Sequence, residues 1–568
     1  MRRAAVLALV LAACSSPAPA PGHPGPPPAR EASVAFATLA ATATAHIMAA
    51  EPSDAISLGL HAYDGKLPDR SPTGIAAEIA LLRADRAALA AVDVHTLTAT
   101  QRDERDVLVQ EDRRRLFELV ALDKLHTNPM AYSDAIDLDA FVVRQYAPPA
   151  TRAAALVQLC AGVPLYLRQA RANLQLPIPR TWVDTALLQT RGLADFADHD
   201  VRTALPEQPG LGAALDTCRG ALLDHAAWLA QQQERASTAY ALGADTFLAM
   251  LAETQGVTTD LAHLQQMADA DLARNTAALT EAARAVDPTK SIADVVTMLA
   301  AERPTPDTVL GMATQQAADL RAFIIAHHIV SLPSDEVAIV KPSPPFQRWN
   351  AAFLDGPGPF ETVKLPSYYY ISPPDPSWPA AEQAAYLPPS ADLVYTTAHE
   401  VYPGHFVHGL HIRANPSRVL QSFCTYSTSE GWAHYAEEMM YDAGASGPTP
   451  RARIGMLKEA LLRDVRFQVA LGEHAHGMTV AQAEAAFRDR GFVDAGNAKQ
   501  QAVRGTFDPM FLSYTLGKLM IRKLYADWAA AHPGASLGDF HDAFLAHGCA
   551  PIPVIRRDML GDDSSPLP

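Results

Sequence analysis

The sequence predicts a mainly α-helical protein: one large helical body carrying a small antiparallel β-sheet in its second half. Three observations carry this. Alanine is abundant, β-branched runs are few and hydrophobic residues make up 49% of the chain, a composition that favours helix over sheet. Apolar residues recur at spacings of three and four, as in SPTGIAAEIALLRADRAALAAV and TRAAALVQLCAGVPLYLRQARANL, the period of an amphipathic helix. At 568 residues the chain is long enough for two lobes or one multilayered body. The formal net charge of −16 is spread along the chain. It offers no basic footprint, which argues against nucleic acid as a partner.

The chain opens with MRR and the apolar run AAVLALVLAA, the positive and hydrophobic regions of a signal peptide, too short for a stable membrane span. LAAC then places Cys14 after small residues. This resembles the lipobox of bacterial lipoproteins, in which that cysteine is lipidated; the alternative is an ordinary secretory signal with an incidental cysteine. Residues 1–13 are therefore assigned to a lipoprotein signal peptide and 14–32 to a stiff Pro/Ala tether with too few apolar residues to pack. The expected location is the cell envelope, on the periplasmic or extracellular face, held to the membrane by a lipid on Cys14. In an oxidising compartment Cys160, Cys218, Cys424 and Cys549 can form up to two disulfides, with all three pairings left open by the sequence, or can equally serve as small buried apolar residues.

Residues 33–330 read as a helical scaffold with few chemically suggestive side chains, and 331–568 as the metal-binding half of the same large domain. Between Lys341 and Ser390 lie twelve prolines and the run SYYYISPPDPSW. Tyr368 to Ile371 is read as a short edge strand, because the prolines at its end cannot donate to an interior ladder. An edge strand beside a catalytic motif pairs with an extended peptide through its main chain; a surface hairpin packing tyrosines is the other reading. Helical patterns return in ADLVYTTAHEVY, STSEGWAHYAEEMMYDAG, RARIGMLKEALLRDVRFQVALGEHAHG and YTLGKLMIRKLYADWAAAH.

The string HEVYPGH, residues 399 to 405, carries the chemistry. In the usual zinc-protease helix two histidines lie four apart and share a face. Here His399 and His405 lie six apart, and on an unbroken helix about 100° per residue would leave them about 120° apart. Pro403 gives no N–H to the carbonyl of residue 399, so the ladder breaks or bulges there, and Gly404 tolerates unusual backbone angles. A two-residue bulge returns His405 to the phase of an i+4 histidine. In helical zinc proteases of the gluzincin kind a glutamate from a following helix completes the site, and Glu430 stands 25 residues after His405. Two imidazoles and a carboxylate suit zinc and leave one position for water. Glu400 is placed to take that water's proton and deliver it to a leaving amine.

The strings EPSDAISLGLHAYDGKLPD, HEVYPGH, EGWAHYAE, RFQVALGEHAHGM and SYTLGKLMI together resemble the bacterial family catalogued as domain of unknown function 885 (DUF885), over about residues 35 to 560. The resemblance implies kinship with gluzincin metallopeptidases, hence a metallopeptidase-like helical body around a deep cleft, with the sheet near the active site. It implies His399, His405 and Glu430 as ligands of Zn2+, Glu400 as base, and Tyr514 as donor to the oxyanion, with His474 as a second candidate for that donor. The chain departs from the family pattern at His408, where glutamine is frequent, and at Ala470, four residues after Arg466, where aspartate is frequent. Glu437 is read as an outer partner of a ligand or as salt-bridged, and His408, His411 and His434 as structural. Arg348, Trp349, Arg463 and Arg466 are read as solvated or salt-bridged rather than as grips for a substrate carboxylate. The functional expectation is a zinc-dependent peptidase acting on short peptides. The alternatives are a non-catalytic metal-containing binding lipoprotein and a metal-dependent hydrolase of a non-peptide amide or ester.

Overall fold

The computed structural model describes residues 29–344, 351–374, 379, 383 and 386–568. The signal peptide, Cys14 and most of the tether, together with Arg348 and Trp349, lie outside the described residues. The described chain is mainly helical and begins with a helix at Ala29–Ala50. The elements that matter here are α1 (Pro149–Asn173), α2 (Arg180–Asp198), α3 (Leu211–Gln232), α4 (Leu261–Val286), β1 (Ala338–Pro342), β2 (Ala352–Asp355), β3 (Ser367–Ile371), α5 (Ser390–Glu400), α6 (His405–Ala414), α7 (Tyr426–Asp442), α8 (Pro450–Ala475) and α9 (Ser513–Ala531).

Local signals set several helix ends. Asp260 accepts from the His263 amide at the start of α4. Thr449 accepts from the Ala452 amide ahead of α8, with Pro450 in the first turn, where its missing N–H costs nothing.

The apolar interior does not divide at residue 330. One core joins Phe36, Phe247, Leu264 and Leu320 to Trp432, Phe467, Leu516 and Phe544 across both halves of the chain. A second core sits within α1, α2 and α3 and their neighbours, around Tyr132, Tyr166, Phe196 and Leu222. Near the centre of the first core α7 and α9 touch backbone to backbone. A Cβ on Gly517 would lie 2.1 Å from the Ser427 carbonyl oxygen, and one on Gly431 would lie 2.6 Å from Gly517 Cα. Only glycine at both positions permits that approach.

The sheet corrects the sequence reading twice. Its order is β1–β3–β2, with β1 parallel and β2 antiparallel to β3, so it is mixed rather than antiparallel. The Tyr368 to Ile371 strand is central, not an edge. The prolines that suggested an edge flank the strand and leave both of its hydrogen-bonding sides free to pair; Tyr369 and Ile371 are buried. β3 seats the sheet on α5, where the Tyr369 hydroxyl meets Thr397 Oγ1 at 3.3 Å. Of the possible cysteine pairings the structure contains Cys424–Cys549, while Cys160 and Cys218 are buried and free.

Candidate metal centre

The helix that begins at Ser390 stops at Glu400, and a new one begins at His405. The spacer is thus a full break between two helices, not a bulge within one. Pro403 cannot donate to the His399 carbonyl. Instead the Gly404 amide reaches back to the Ala398 carbonyl at 2.9 Å, and the His408 amide to the Gly404 carbonyl at 3.0 Å. Gly404 packs against the end of α5 so closely that a Cβ would fall 1.7 Å from the His399 carbonyl oxygen. The turn is pinned from α7, where the Trp432 indole N–H donates to the Pro403 carbonyl at 2.9 Å. Trp432 is fully buried; it lies in the EGWAHYAE string, but nothing in spacing alone assigns it this bond.

The break brings the imidazoles of His399 and His405 to 4.8 Å between ring centres at an interplanar angle of 89°. Glu430, in the second turn of α7, faces both: its Oε2 lies 3.4 Å from Nε2 of His399 and 3.4 Å from Nε2 of His405. The three donor atoms all lie within 4.8 Å of one another. These separations exceed a normal N–H···O bond of about 2.7–3.2 Å, and Glu430 Oε2 is a buried acceptor with no hydrogen-bond partner. They match donor atoms around one tetrahedral ion: bonds of about 2.1 Å set donors about 3.4 Å apart. The His399 side chain is nearly buried, whereas those of His405 and Glu430 are about one-fifth exposed. One side of the trio is therefore open to solvent.

Outer partners fix this geometry. His399 Nδ1 donates to Glu437 Oε1 at 2.6 Å, which turns Nε2 toward Glu430. Glu437 is fully buried and also meets Arg463 Nη2 at 3.3 Å and His434 Nδ1 at 3.4 Å. Burial would raise its carboxyl, but Arg463 and His434 outweigh that and hold it below the usual range. Burial likewise opposes the charges on His399 and Glu430. The carboxylates facing His399 nevertheless hold it well above the usual histidine range, and the two histidines hold Glu430 well below the carboxylate range. Glu400 accepts from the Leu354 amide of β2 at 3.0 Å. Burial raises its pKa, partly offset by His399 and His405.

Tyr514, the second residue of α9, is brought to the centre: its ring stacks toward His399 at 6.2 Å. His474 is not. Its Nε2–H donates to the Gly505 carbonyl at 2.8 Å and its ring lies by Tyr240 and Phe247, more than two turns along α8 from Arg466. His408 and His411 bond to the backbone carbonyls of Gly548 and Ser331. Arg463 is salt-bridged to Glu437 and Glu459, but Arg466 has no carboxylate partner among the described residues. A second group, Asp103, His547 and Asp558, also clusters. There the two carboxylates meet different nitrogens of one ring, and Arg557 already lies 3.5 Å from Asp103.

The profile of the family described as "Bacterial protein of unknown function (DUF885)" matches residues 52–559. The chain belongs to the DUF885 family. Two solved structures share its fold. One is described as a "putative lipoprotein of unknown function" from Shewanella oneidensis, with TM-score 0.77 and 22% identity over 92% of this chain and 99% of that one. The other is described as a "putative lipoprotein" from Colwellia psychrerythraea, with TM-score 0.75 and 16% identity over 93% of this chain and 98% of that one. No curated protein matches the chain. The DUF885 match takes in the HEVYPGH turn, Glu430 and Tyr514.

Proposed function

We propose that this DUF885 protein is a zinc-dependent peptidase that hydrolyses short peptides outside the cytoplasm, anchored through a lipid on Cys14. The single observation that carries the reading is the convergence of His399, His405 and Glu430, with the orphaned Glu430 oxygen facing both ring nitrogens at 3.4 Å. All three atoms are lone-pair donors, which a divalent cation satisfies together. A cation held there, zinc by its preference for a His, His, Glu set, would polarise a carbonyl and bring the pKa of water down to about 7.

The remaining steps belong to the chain. Glu400, adjacent to a ligand and oriented by the Leu354 amide, takes the proton of the attacking water and passes it to the leaving amine. Tyr514 offers a phenol to the charge developing on the carbonyl oxygen. The edge of β2 beside Glu400 has no strand partner among the described residues, and Leu354 turns its N–H to that side. An extended peptide adding to such an edge is positioned by main-chain bonds, which favours peptides over small esters. The kinship with gluzincin peptidases and a deep cleft that excludes folded proteins are parts of this proposal. So is the envelope location, which the lipoprotein description of both structural neighbours supports.

The test is the metal content of purified wild type and His405→Ala, together with hydrolysis of a mixed peptide library by wild type and Glu400→Gln. Stoichiometric zinc lost in His405→Ala, and cleavage lost by about 100-fold or more in Glu400→Gln with zinc retained, is the expected outcome. Full metal without cleavage of any peptide points to the binding lipoprotein instead. Esters hydrolysed in preference to peptides point to the other hydrolase.

A further inference from the structure

Arginine is almost never fully buried unless a carboxylate answers its charge. The arginines near the centre, Arg463 buried and Arg504 half-buried, obey this with one exception. Arg463 meets Glu437 and Glu459, and Arg504 meets Asp508 and donates to the Tyr426 hydroxyl. Arg466 is 7% exposed, yet among the described residues its one hydrogen bond runs from Nε to the neutral Gln501 Oε1 at 2.9 Å. Among the described residues no carboxylate lies within ion-pairing distance. The residue one turn on, Ala470, is buried and offers none. Burial, with Arg504 and Arg463 as like-charged neighbours, drives its pKa below the usual arginine range against a smaller opposing pull from Tyr514 and Tyr426.

The position of this unanswered charge is specific. The guanidinium lies 4.7 Å from the centre of the Tyr514 ring, and that ring lies 6.2 Å from the His399 imidazole. Arg466 and His399 are thus both neighbours of the Tyr514 ring. Each extended residue spans about 3.3–3.6 Å, so a stub of one to three residues bridges the two steps. A planar fork of N–H donors left without a protein acceptor is suited to a carboxylate brought by a ligand.

We infer that Arg466 is the receptor for the free C-terminal carboxylate of a peptide substrate, which makes the protein an exopeptidase that releases one to three residues from the C-terminus. This rests on the peptidase reading above and extends it to substrate class. Water is added across the last bonds of the chain: the C–N bond breaks, the hydroxyl goes to the acyl carbon and the proton to the amine of the released stub. Arg466 makes the same contact before and after the bond breaks, so it acts in binding, and its effect falls on KM more than on kcat. A bare cation in the wall also disfavours substrates that place a positive or apolar group there.

The experiment compares matched peptides ending in a free acid and in an amide, with zinc-loaded full-length protein. Wild type is expected to prefer the acid by at least tenfold in kcat/KM. In Arg466→Gln the acid-to-amide ratio falls toward one, and Arg466→Lys restores part of it. Gln501→Glu, nearly isosteric and placed on Nε, gives the arginine an internal partner and lowers the ratio without removing the charge. It therefore reports on the site even if Arg466→Gln folds poorly. A wild-type ratio near one, with release of internal fragments, overturns the inference and leaves the peptidase reading standing. If no peptide is cleaved, calorimetric binding of the same pair decides. Acid bound over amide, lost in Gln501→Glu, upholds the carboxylate site while the peptidase reading fails; equal or absent binding overturns it.

Discussion

Glu437 Oε1 lies 2.6 Å from Nδ1 of His399, and that contact fixes which imidazole nitrogen faces Glu430. The carboxylate is itself held by Arg463, so the ring orientation is inherited from α8 through α7. Replacing Glu437 by alanine removes the acceptor and leaves Arg463 facing an apolar gap. Zinc affinity of Glu437→Ala is expected to fall by about 10- to 100-fold, with a smaller loss in Glu437→Gln, read by chelator competition. Unchanged affinity in the alanine variant would show that His399 needs no outer partner.

Gly404 allows the break between α5 and α6 to close. Because a Cβ there would lie 1.7 Å from the His399 carbonyl oxygen, Gly404→Ala cannot keep the native turn. A loss of about 3 kcal/mol or more is expected from the resulting backbone shift, measured by urea unfolding, along with loss of stoichiometric zinc. Retention of both would mean that the turn relaxes without moving His399.

The Cys424–Cys549 bridge spans 125 residues and closes onto the site. Cys424 precedes α7 by two residues, and Gly548 beside Cys549 accepts from His408 of α6. In the loop-entropy picture a crosslink of this span contributes about 4–5 kcal/mol. The Cys424→Ser, Cys549→Ser protein is expected to unfold at markedly lower urea concentration. A midpoint within error of wild type would show that native packing alone holds the 548–550 segment against α7.

Glu473 gives the stability a pH dependence of its own. It is 1% exposed, both carboxylate oxygens lack a hydrogen-bond partner, and burial pushes its pKa up to about 8. Between the unfolded carboxyl range near pH 4.5 and pH 8 the folded protein holds a proton that the unfolded chain has released. Stability from this group therefore falls as pH rises through that window and is lowest above pH 8. Glu473→Gln is expected to be more stable than wild type by a few kcal/mol at pH 8.5 and nearly equal to it at pH 4.5. Unfolding midpoints at the two pH values check this, and a gap that does not depend on pH excludes titration of Glu473 as its cause.

Much of the centre was legible in the chain because its signals are local. A proline that cannot donate, a glycine beside it and two histidines of definable helical phase lie within seven residues. The wrong details came from the same local view. A bulge and a complete helix break satisfy the same missing N–H; the break is the one held by the Trp432 bond to the Pro403 carbonyl and the close packing of Gly404. His474 looked like a candidate donor because it is a histidine near a motif, but its distance from the trio depends on how far α8 runs past α7.

The sequence by itself determined the helical character and the site of the kink, and it pointed to the candidate trio His399, His405 and Glu430, since each follows from periodicity, spacing or backbone chemistry along the chain. Only the tertiary structure decided the strand order, the cysteine pairing and the fact that Arg463 is answered by carboxylates while Arg466 is not. Those are relations between segments distant in the chain. Which surfaces meet is set by the packing of two cores, and no local pattern encodes it.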